Sequence, residues 1–156
     1  MPEPGNQTFF TSQDPVAGAI EQLLQEARVS VDAALYRITN PRLARALGNA
    51  QSRGLRIRLL LDHNKYRETA ATRELLAENS LPFQTLYGRK GKGSKLHHKF
   101  VVLDRHVVLT GSYNWTLESE ERNFDHGLVL RDPDLVSAYQ QEFERLWSME
   151  AENQAP

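Results

Sequence analysis

The sequence contains no cysteine, which excludes structural disulfides, thiolate zinc sites and a cysteine nucleophile but leaves the redox compartment open. Long hydrophobic runs are absent too: nothing approaches the ~20 apolar residues of a membrane-spanning helix. The first residues, Met1-Pro-Glu-Pro-Gly-Asn-Gln7, have neither the basic start nor the apolar stretch of an export signal. The expected location is cytoplasmic if the chain is complete, and periplasmic or secreted if a signal has been removed. A large charge of one sign is also lacking, since 19 Lys and Arg face 20 Asp and Glu. That balance argues against a protein coated for nonspecific polyanion binding. What remains is 156 residues, 40% hydrophobic and 25% charged, the make-up of one globular domain. The domain is expected over residues 1–150, with a disordered tail over 151–156.

Charge is unevenly spread. Residues 1–87 carry ten basic and nine acidic residues, residues 88–100 five basic and none acidic, and residues 101–156 four basic and eleven acidic. The middle stretch, GRKGKGSKLHHKF, holds Arg89, Lys90, Lys92, Lys95 and Lys99 among glycines. It reads either as a local anion site or as a solvated flexible loop.

Patterning along the chain predicts strands alternating with helices. Thr8 to Thr11 reads as a first strand, and Asp14-Pro15 as an N-cap and first position of a helix running to about Ala27. Val29 to Tyr36 alternates as a strand; Asn40-Pro41 opens a helix that Gly54 ends. Leu55 to Leu61 is a buried strand closing at Asp62, Glu68 to Asn79 a helix, Phe83 to Tyr87 a strand, and Gly88 to Ser94 a loop. His98 to Leu103 and His106 to Thr110 form a hairpin turning at Asp104-Arg105. Phe124 to Leu130 is the last strand, before a helix opened by Asp132-Pro133 that frays after Met149. The expected fold class is α/β: a mixed β-sheet flanked by helices on both faces, an α/β/α sandwich.

The chemistry concentrates in Lys95-Leu-His97-His-Lys99-Phe-Val-Val-Leu-Asp104, followed by Gly111-Ser112-Tyr-Asn114. On a strand, residues two apart share a face about 6.6 Å apart, so His97 and Lys99 point into one pocket and His98 points away. If the second hairpin strand pairs with the first, its end brings Gly111, Ser112 and Asn114 to the same space, with Gly111 allowing a tight departure. A nucleophile or base beside lysine and amide donors suits a phosphate diester whose nonbridging oxygens gain charge during displacement. No metal and no cofactor is required. A zinc site from His97, His98 and His106 is disfavoured, because strand neighbours face opposite ways and no carboxylate or thiol completes the set.

These residues spell H-x-K-x4-D-x6-G-S-x-N, which resembles the signature of the phospholipase D superfamily. Six fixed residues at fixed spacing arise by chance on the order of 10⁻⁸ per starting position. Ser30 to Tyr36 and Ala50 to Asp62 are similar to that superfamily's preceding strands and intervening helix, so the likeness covers about residues 7–148. A short chain with a single motif most resembles the Nuc-type endonucleases and their Zucchini-like relatives, without the latter's cysteines.

The resemblance implies that His97 attacks phosphorus to give a phosphohistidine, while a second His97 protonates the leaving oxygen and then activates water. With one motif per chain, it implies a homodimer through the motif face with one shared site. Lys99 and Asn114 become phosphate-oxygen ligands, Ser112 a supporting donor, and Asp104 a structural residue of the turn. Asp125 stands where the family has a glutamate that orients the nucleophilic imidazole. Lys95, Lys92, Lys90, Arg89, Tyr36 and Trp115 are candidate substrate contacts. For Trp115 a core position is an equal alternative to base stacking, and Tyr36 and His63 either line the cleft or merely end their strands. His98, His106 and His126 are expected to serve packing or surface hydrogen bonds.

The leading functional expectation is a metal-independent endonuclease acting on DNA, single-stranded or not, or on RNA. A lipid (cardiolipin) hydrolase of the phospholipase D type is the enzymatic alternative. A catalytically silent DNA-binding module is the non-enzymatic one, and the intact His97, Lys99, Ser112 and Asn114 count against it.

Overall fold

The computed structural model describes residues 5–154, which build a single mixed sheet between two helical layers. The chain opens with strand β1 (Gln7–Phe10), helix α1 (Val16–Glu26), β2 (Ser30–Leu35), α2 (Pro41–Ser52) and β3 (Arg56–Asp62). Helices α3 (His63–Glu68) and α4 (Ala70–Glu78) lead into β4 (Phe83–Gly88), β5 (Gly91–Lys95), β6 (Lys99–Leu103) and β7 (Val107–Gly111). Helix α5 (Leu117–Glu121), β8 (His126–Leu130) and α6 (Pro133–Gln154) complete it. The sheet order is β1-β8-β7-β6-β2-β3-β4-β5. Strands β2, β3 and β4 run parallel, and the other neighbours pair antiparallel.

Alternation along the strands divides the core. Val31, Ala33 and Leu35 of β2, Leu59 and Leu61 of β3, and Val101 and Leu103 of β6 pack under Ile20, Leu24, Leu43, Leu47 and Leu76 of the first helical layer. Ala34, Leu60, Phe100, Val102 and Val108 face Val136 and Phe143 of α6. One carboxylate interrupts that second layer. Asp32, fully buried, takes Nε of Arg58 at 2.7 Å and Nε2 of Gln140 at 2.9 Å, tying the sheet to α6.

Local signals explain most boundaries. Asn40 caps α2 by accepting the Arg42 N–H at 3.0 Å, with Pro41 in the first position. Asp132 does the same for α6 through the Leu135 N–H. Asp104 and Arg105 both take left-handed φ values, 55° and 61°, the geometry of a two-residue hairpin turn whose backbone follows the strand twist.

Five expectations need correction. Asp14 does not cap α1: its carboxylate instead accepts the Phe10 N–H at 3.2 Å, closing the turn after β1, and Pro15 stands at the cap. The helix expected over Glu68 to Asn79 is α4 alone, preceded by the separate α3 that Asp62 caps. The basic loop is a hairpin. Residues 91–95 return along β4, and at Gly88 a side chain would meet the Lys95 backbone N at 2.3 Å, so the close approach needs glycine. The last strand starts at His126, leaving Phe124 outside it and 93% exposed. Finally, α6 continues past Met149 to Gln154, and of the expected tail residues 155–156 lie outside the described residues.

Candidate active site

The pairing order brings the sequence-predicted residues to one edge of the sheet. Leu35 pairs with Lys99, and Gly111 pairs with Gly127, next to His126. The carboxyl ends of parallel β2 and β3 and of β7 therefore open beside the start of β6. Crevices outside such ends are the usual ligand sites of α/β sheets. Leaving this edge, Tyr36 follows β2, His63 follows β3 and Ser112 follows β7.

His97 lies just before β6, held by its neighbours. The buried Asp62 carboxylate accepts the Leu96 N–H at 2.9 Å and the Lys65 N–H at 3.0 Å, joining the end of β3, the start of α3 and the approach to His97. The His98 carbonyl accepts the Tyr36 N–H at 2.8 Å. The imidazole of His97 stands edge-on to the Tyr36 ring, with centroids 4.6 Å apart. Lys99 lies on the same side, its Nζ donating to the His97 carbonyl at 2.8 Å and standing 3.3 Å from Nδ1. Burial pushes the His97 pKa down, and the ammonium groups of Lys99 and Lys95 push it further against the opposing pull of Asp62. The imidazole is thereby kept unprotonated below the ordinary histidine range. Burial likewise lowers Lys99, opposed by Asp125.

Ser112 and Asp125 form the opposite wall. Ser112 Oγ donates to Asp125 Oδ1 at 2.7 Å and accepts the His126 N–H at 3.1 Å. Thr11 fixes this wall from the edge strand: its hydroxyl donates to the Asn123 carbonyl at 2.7 Å and accepts the Asp125 N–H at 2.9 Å. Gly111, at φ 144°, lies so close to the His126 carbonyl that a Cβ would sit 2.3 Å from it. Asn114 Oδ1 is buried with no hydrogen-bond partner among the described residues. An unpartnered buried amide oxygen is costly, about 1–3 kcal/mol, and marks a place where a donor belongs.

The remaining candidates divide. Tyr36 is buried, with the ammonium groups of Lys99, Lys95 and Lys65 at 5.4, 5.8 and 5.8 Å from its ring centroid. Arg89, Lys90 and Lys92 are exposed on the β4–β5 hairpin, which Asn64 ties to α3 through the Lys92 carbonyl at 2.9 Å. Trp115 is not available to stack on a substrate: it is 1% exposed and packs in the core, its carbonyl receiving the Thr39 and Asn40 N–H groups. Within the chain Asp125 meets Ser112 rather than His97, because the shorter aspartate arm is already engaged across β7 and β8. Asp104 lies at the far end of β6, five residues and roughly 16 Å along the strand from Lys99. There its carboxylate accepts the N–H groups of Arg28, Val29 and Ser30 at 2.9, 2.7 and 3.0 Å.

His63 bonds Thr85 Oγ1 at 2.9 Å and packs on Tyr87. His98 packs edge-on to Phe100, and His126 stands 6.3 Å from Phe10. His106 is exposed beside the turn. A groove of ≈ 330 Å³ runs from His97 and His98 past Leu86, Leu96 and Leu146, with Arg89 and Lys95 also lining it.

A family described as "Cardiolipin synthase, PLD-like domain" matches residues 20–147, the span that carries every element of the fold except β1, the start of α1 and the end of α6. The chain belongs to the phospholipase D superfamily. Its single superfamily motif is the one centred on His97 and Lys99. Similar proteins include the mitochondrial cardiolipin hydrolase of Xenopus tropicalis, 36% identical over 125 residues, 80% of this chain and 58% of that protein. The human mitochondrial cardiolipin hydrolase is 30% identical over 132 residues, 83% and 51% of the two chains. The chain thus spans somewhat more than half the length of these curated relatives. Among solved structures, the phospholipase D family member Nuc of Salmonella typhimurium superposes with a TM-score of 0.83 at 22% identity, covering 94% of this chain and 95% of that one. NucT from Helicobacter pylori gives 0.82 at 21%, covering 95% and 96%. Both share the superfamily's fold.

Sequence reasoning missed Lys65, Asp62 and Thr11. Lys65 shares with Arg67 a short helix that periodicity did not detect, and only the fold carries it to Tyr36. Asp62 was legible as a strand end, and its position before His63-Asn-Lys65 is a cap signal that could have been read.

Proposed function

We propose that this superfamily member is a metal-independent phosphodiesterase that cuts nucleic acid, an endonuclease with His97 as its nucleophile. The observation that carries this reading is the gathering of the His97 imidazole with three ammonium groups, those of Lys99, Lys95 and Lys65, about one buried tyrosine. Attack requires a neutral ring, and the lowered His97 pKa supplies one. A ring nitrogen of His97 bonds to phosphorus as the bond to the leaving oxygen breaks. Lys99 and the Asn114 side-chain N–H donate to the nonbridging oxygens as charge grows on them, a preorganised stabilisation usually worth several kcal/mol.

The leaving oxygen needs a proton, and the chain has one His97. The proton comes from His97 of a second copy across a two-fold axis, the facing pair sharing one proton so that one ring is charged while the attacking ring is neutral. The donor ring then takes a proton from water, whose oxygen attacks phosphorus and breaks the phosphorus–nitrogen bond. Phe124, 93% exposed beside Asp125, and Phe10, 47% exposed beside His126, supply apolar surface on the same rim for such a dimer.

A second reading, hydrolysis of a phosphatidyl diester, is favoured by the leucine-lined groove at His97 and by the names of the cardiolipin hydrolases to which the chain is similar. One experiment separates the two. Wild type and His97→Ala are given single-stranded and duplex oligonucleotides, and cardiolipin vesicles, in EDTA. Oligonucleotide cleavage by wild type alone is the expected result. Vesicle hydrolysis without oligonucleotide cleavage replaces the first reading with the second, and no turnover of either overturns both.

A further inference from the structure

The lysines around Tyr36 exceed what one scissile phosphate needs. Lys99 stands against His97, whereas Lys95 ends the β4–β5 hairpin and Lys65 belongs to α3. All three ammonium groups lie within 5.8 Å of the same ring centroid, so no two are separated by more than about twice that distance. Successive phosphates of one nucleic-acid strand are closer together than that span. Among the described residues the only carboxylate bonded to any of them is Glu68, itself exposed, which meets Lys65 at 3.2 Å and steadies it. Lys95 has no such partner among the described residues, and its charge bears on His97. Tyr36 beneath is a fixed floor, 9% exposed, its backbone N–H donating to the His98 carbonyl. Like charges gathered on a rigid surface repel one another unless an anion lies between them.

We infer that Lys65 and Lys95, with Tyr36 as their floor, form a second phosphate site that holds the phosphate next to the scissile one. This rests on the nucleic-acid reading above and deepens it: the preferred substrate carries two neighbouring phosphates, one over His97 and Lys99, the next over Lys65 and Lys95. The site sets which bond of a strand is cut relative to its flanking charge, and it discriminates against diesters that carry a single phosphate.

The test uses three probes, each with one cleavable diester: a dinucleoside monophosphate, and the same molecule with a terminal phosphate at its 5′ or its 3′ end. The readout is the ratio of kcat/KM for each phosphorylated probe to that of the unphosphorylated one, so effects on the chemical step cancel. Wild type is expected to prefer one of the phosphorylated probes about tenfold, chiefly through KM, as a charge-assisted hydrogen bond to phosphate would give. Lys65→Ala and Lys95→Ala should each collapse most of that preference, and Lys65→Arg should keep it. A wild-type ratio near one, or a ratio unchanged in both alanine variants, overturns the second site while leaving an oligonucleotide-cutting enzyme intact. If wild type cuts neither these probes nor longer strands yet hydrolyses cardiolipin, the nucleic-acid reading itself fails and the site with it.

Discussion

Asp104 is the motif residue whose position separates stability from chemistry, so its replacement should damage folding and spare turnover. The carboxylate receives three backbone N–H groups from the segment that enters β2. Ser30 is buried, so its N–H left without a partner costs about 1–3 kcal/mol. The N–H groups of Arg28 and Val29 belong to exposed residues and can turn to water, each losing roughly 0.5–1 kcal/mol. Asp104 also holds φ at 55°, where alanine is strained by about 1 kcal/mol more. Asp104→Ala should therefore lose about 4 kcal/mol, a fall in Tm of roughly 8–16 °C for a chain of this size. Asp104→Asn keeps an acceptor and tolerates the turn, and should lose about half as much.

The same interactions predict a pH signature. Burial pushes the Asp104 carboxyl up, but the N–H groups of Ser30, Arg28 and Val29 together outweigh it and hold the group below its ordinary value of 3.8. A carboxylate depressed in the folded state contributes stability that is present above the unfolded value and lost as the pH falls through the folded one. Urea unfolding followed by tryptophan fluorescence, between pH 7 and pH 2.5, measures both effects. In the asparagine variant the stability difference from wild type should shrink below about pH 4. Loss of turnover at 15 °C in a variant whose urea midpoint is unchanged would show that Asp104 acts in the chemistry, against this reasoning.

Three other outcomes are expected. Removing the Lys95 ammonium takes away one of the charges that depress His97, so the acid limb of kcat/KM for a single-diester substrate should move to higher pH in Lys95→Gln; an unmoved limb, or one displaced to lower pH, would contradict that electrostatic cause. If the proposed shared site holds, subunits of wild type and His97→Ala, mixed in equal amounts and allowed to exchange, should show about half the activity expected from simple dilution, because a mixed dimer has a single His97. Activity that tracks wild-type chains linearly would place a complete site in each subunit. Trp115→Ala should cost about 3–5 kcal/mol of stability through the cavity it opens, and Trp115→Phe much less, with no selective change in KM at temperatures where the protein is folded.

Much of the molecule was legible in the sequence because its signals are local. Caps at Asn40 and Asp132, the paired turn residues Asp104-Arg105 and the alternation in β2, β3, β6 and β7 each act over a few residues, and the motif spacing set His97, Lys99, Ser112 and Asn114 at one end of a hairpin. What escaped depends on contacts distant in the chain. Glycine and lysine in residues 88–94 describe a loop by composition, yet backbone pairing with β4 makes them a strand. Trp115 sits beside a motif asparagine, and only the bridge between it and Ile38 shows that it faces the core. Lys65 carries no pattern of its own; α3, capped by Asp62, delivers it. Asp125 occupies the predicted position, but Ser112 claims its carboxylate within the chain.

In the proposed mechanism His97 itself bonds to phosphorus. Rapid acid-free denaturation of enzyme caught mid-turnover in EDTA with a labelled oligonucleotide, followed by peptide mapping, reads that bond directly. The account predicts an alkali-stable, acid-labile label on the peptide carrying His97, absent from His97→Ala and diminished in Lys99→Ala. Full turnover with no protein-bound label, or the same label retained in His97→Ala, would contradict it.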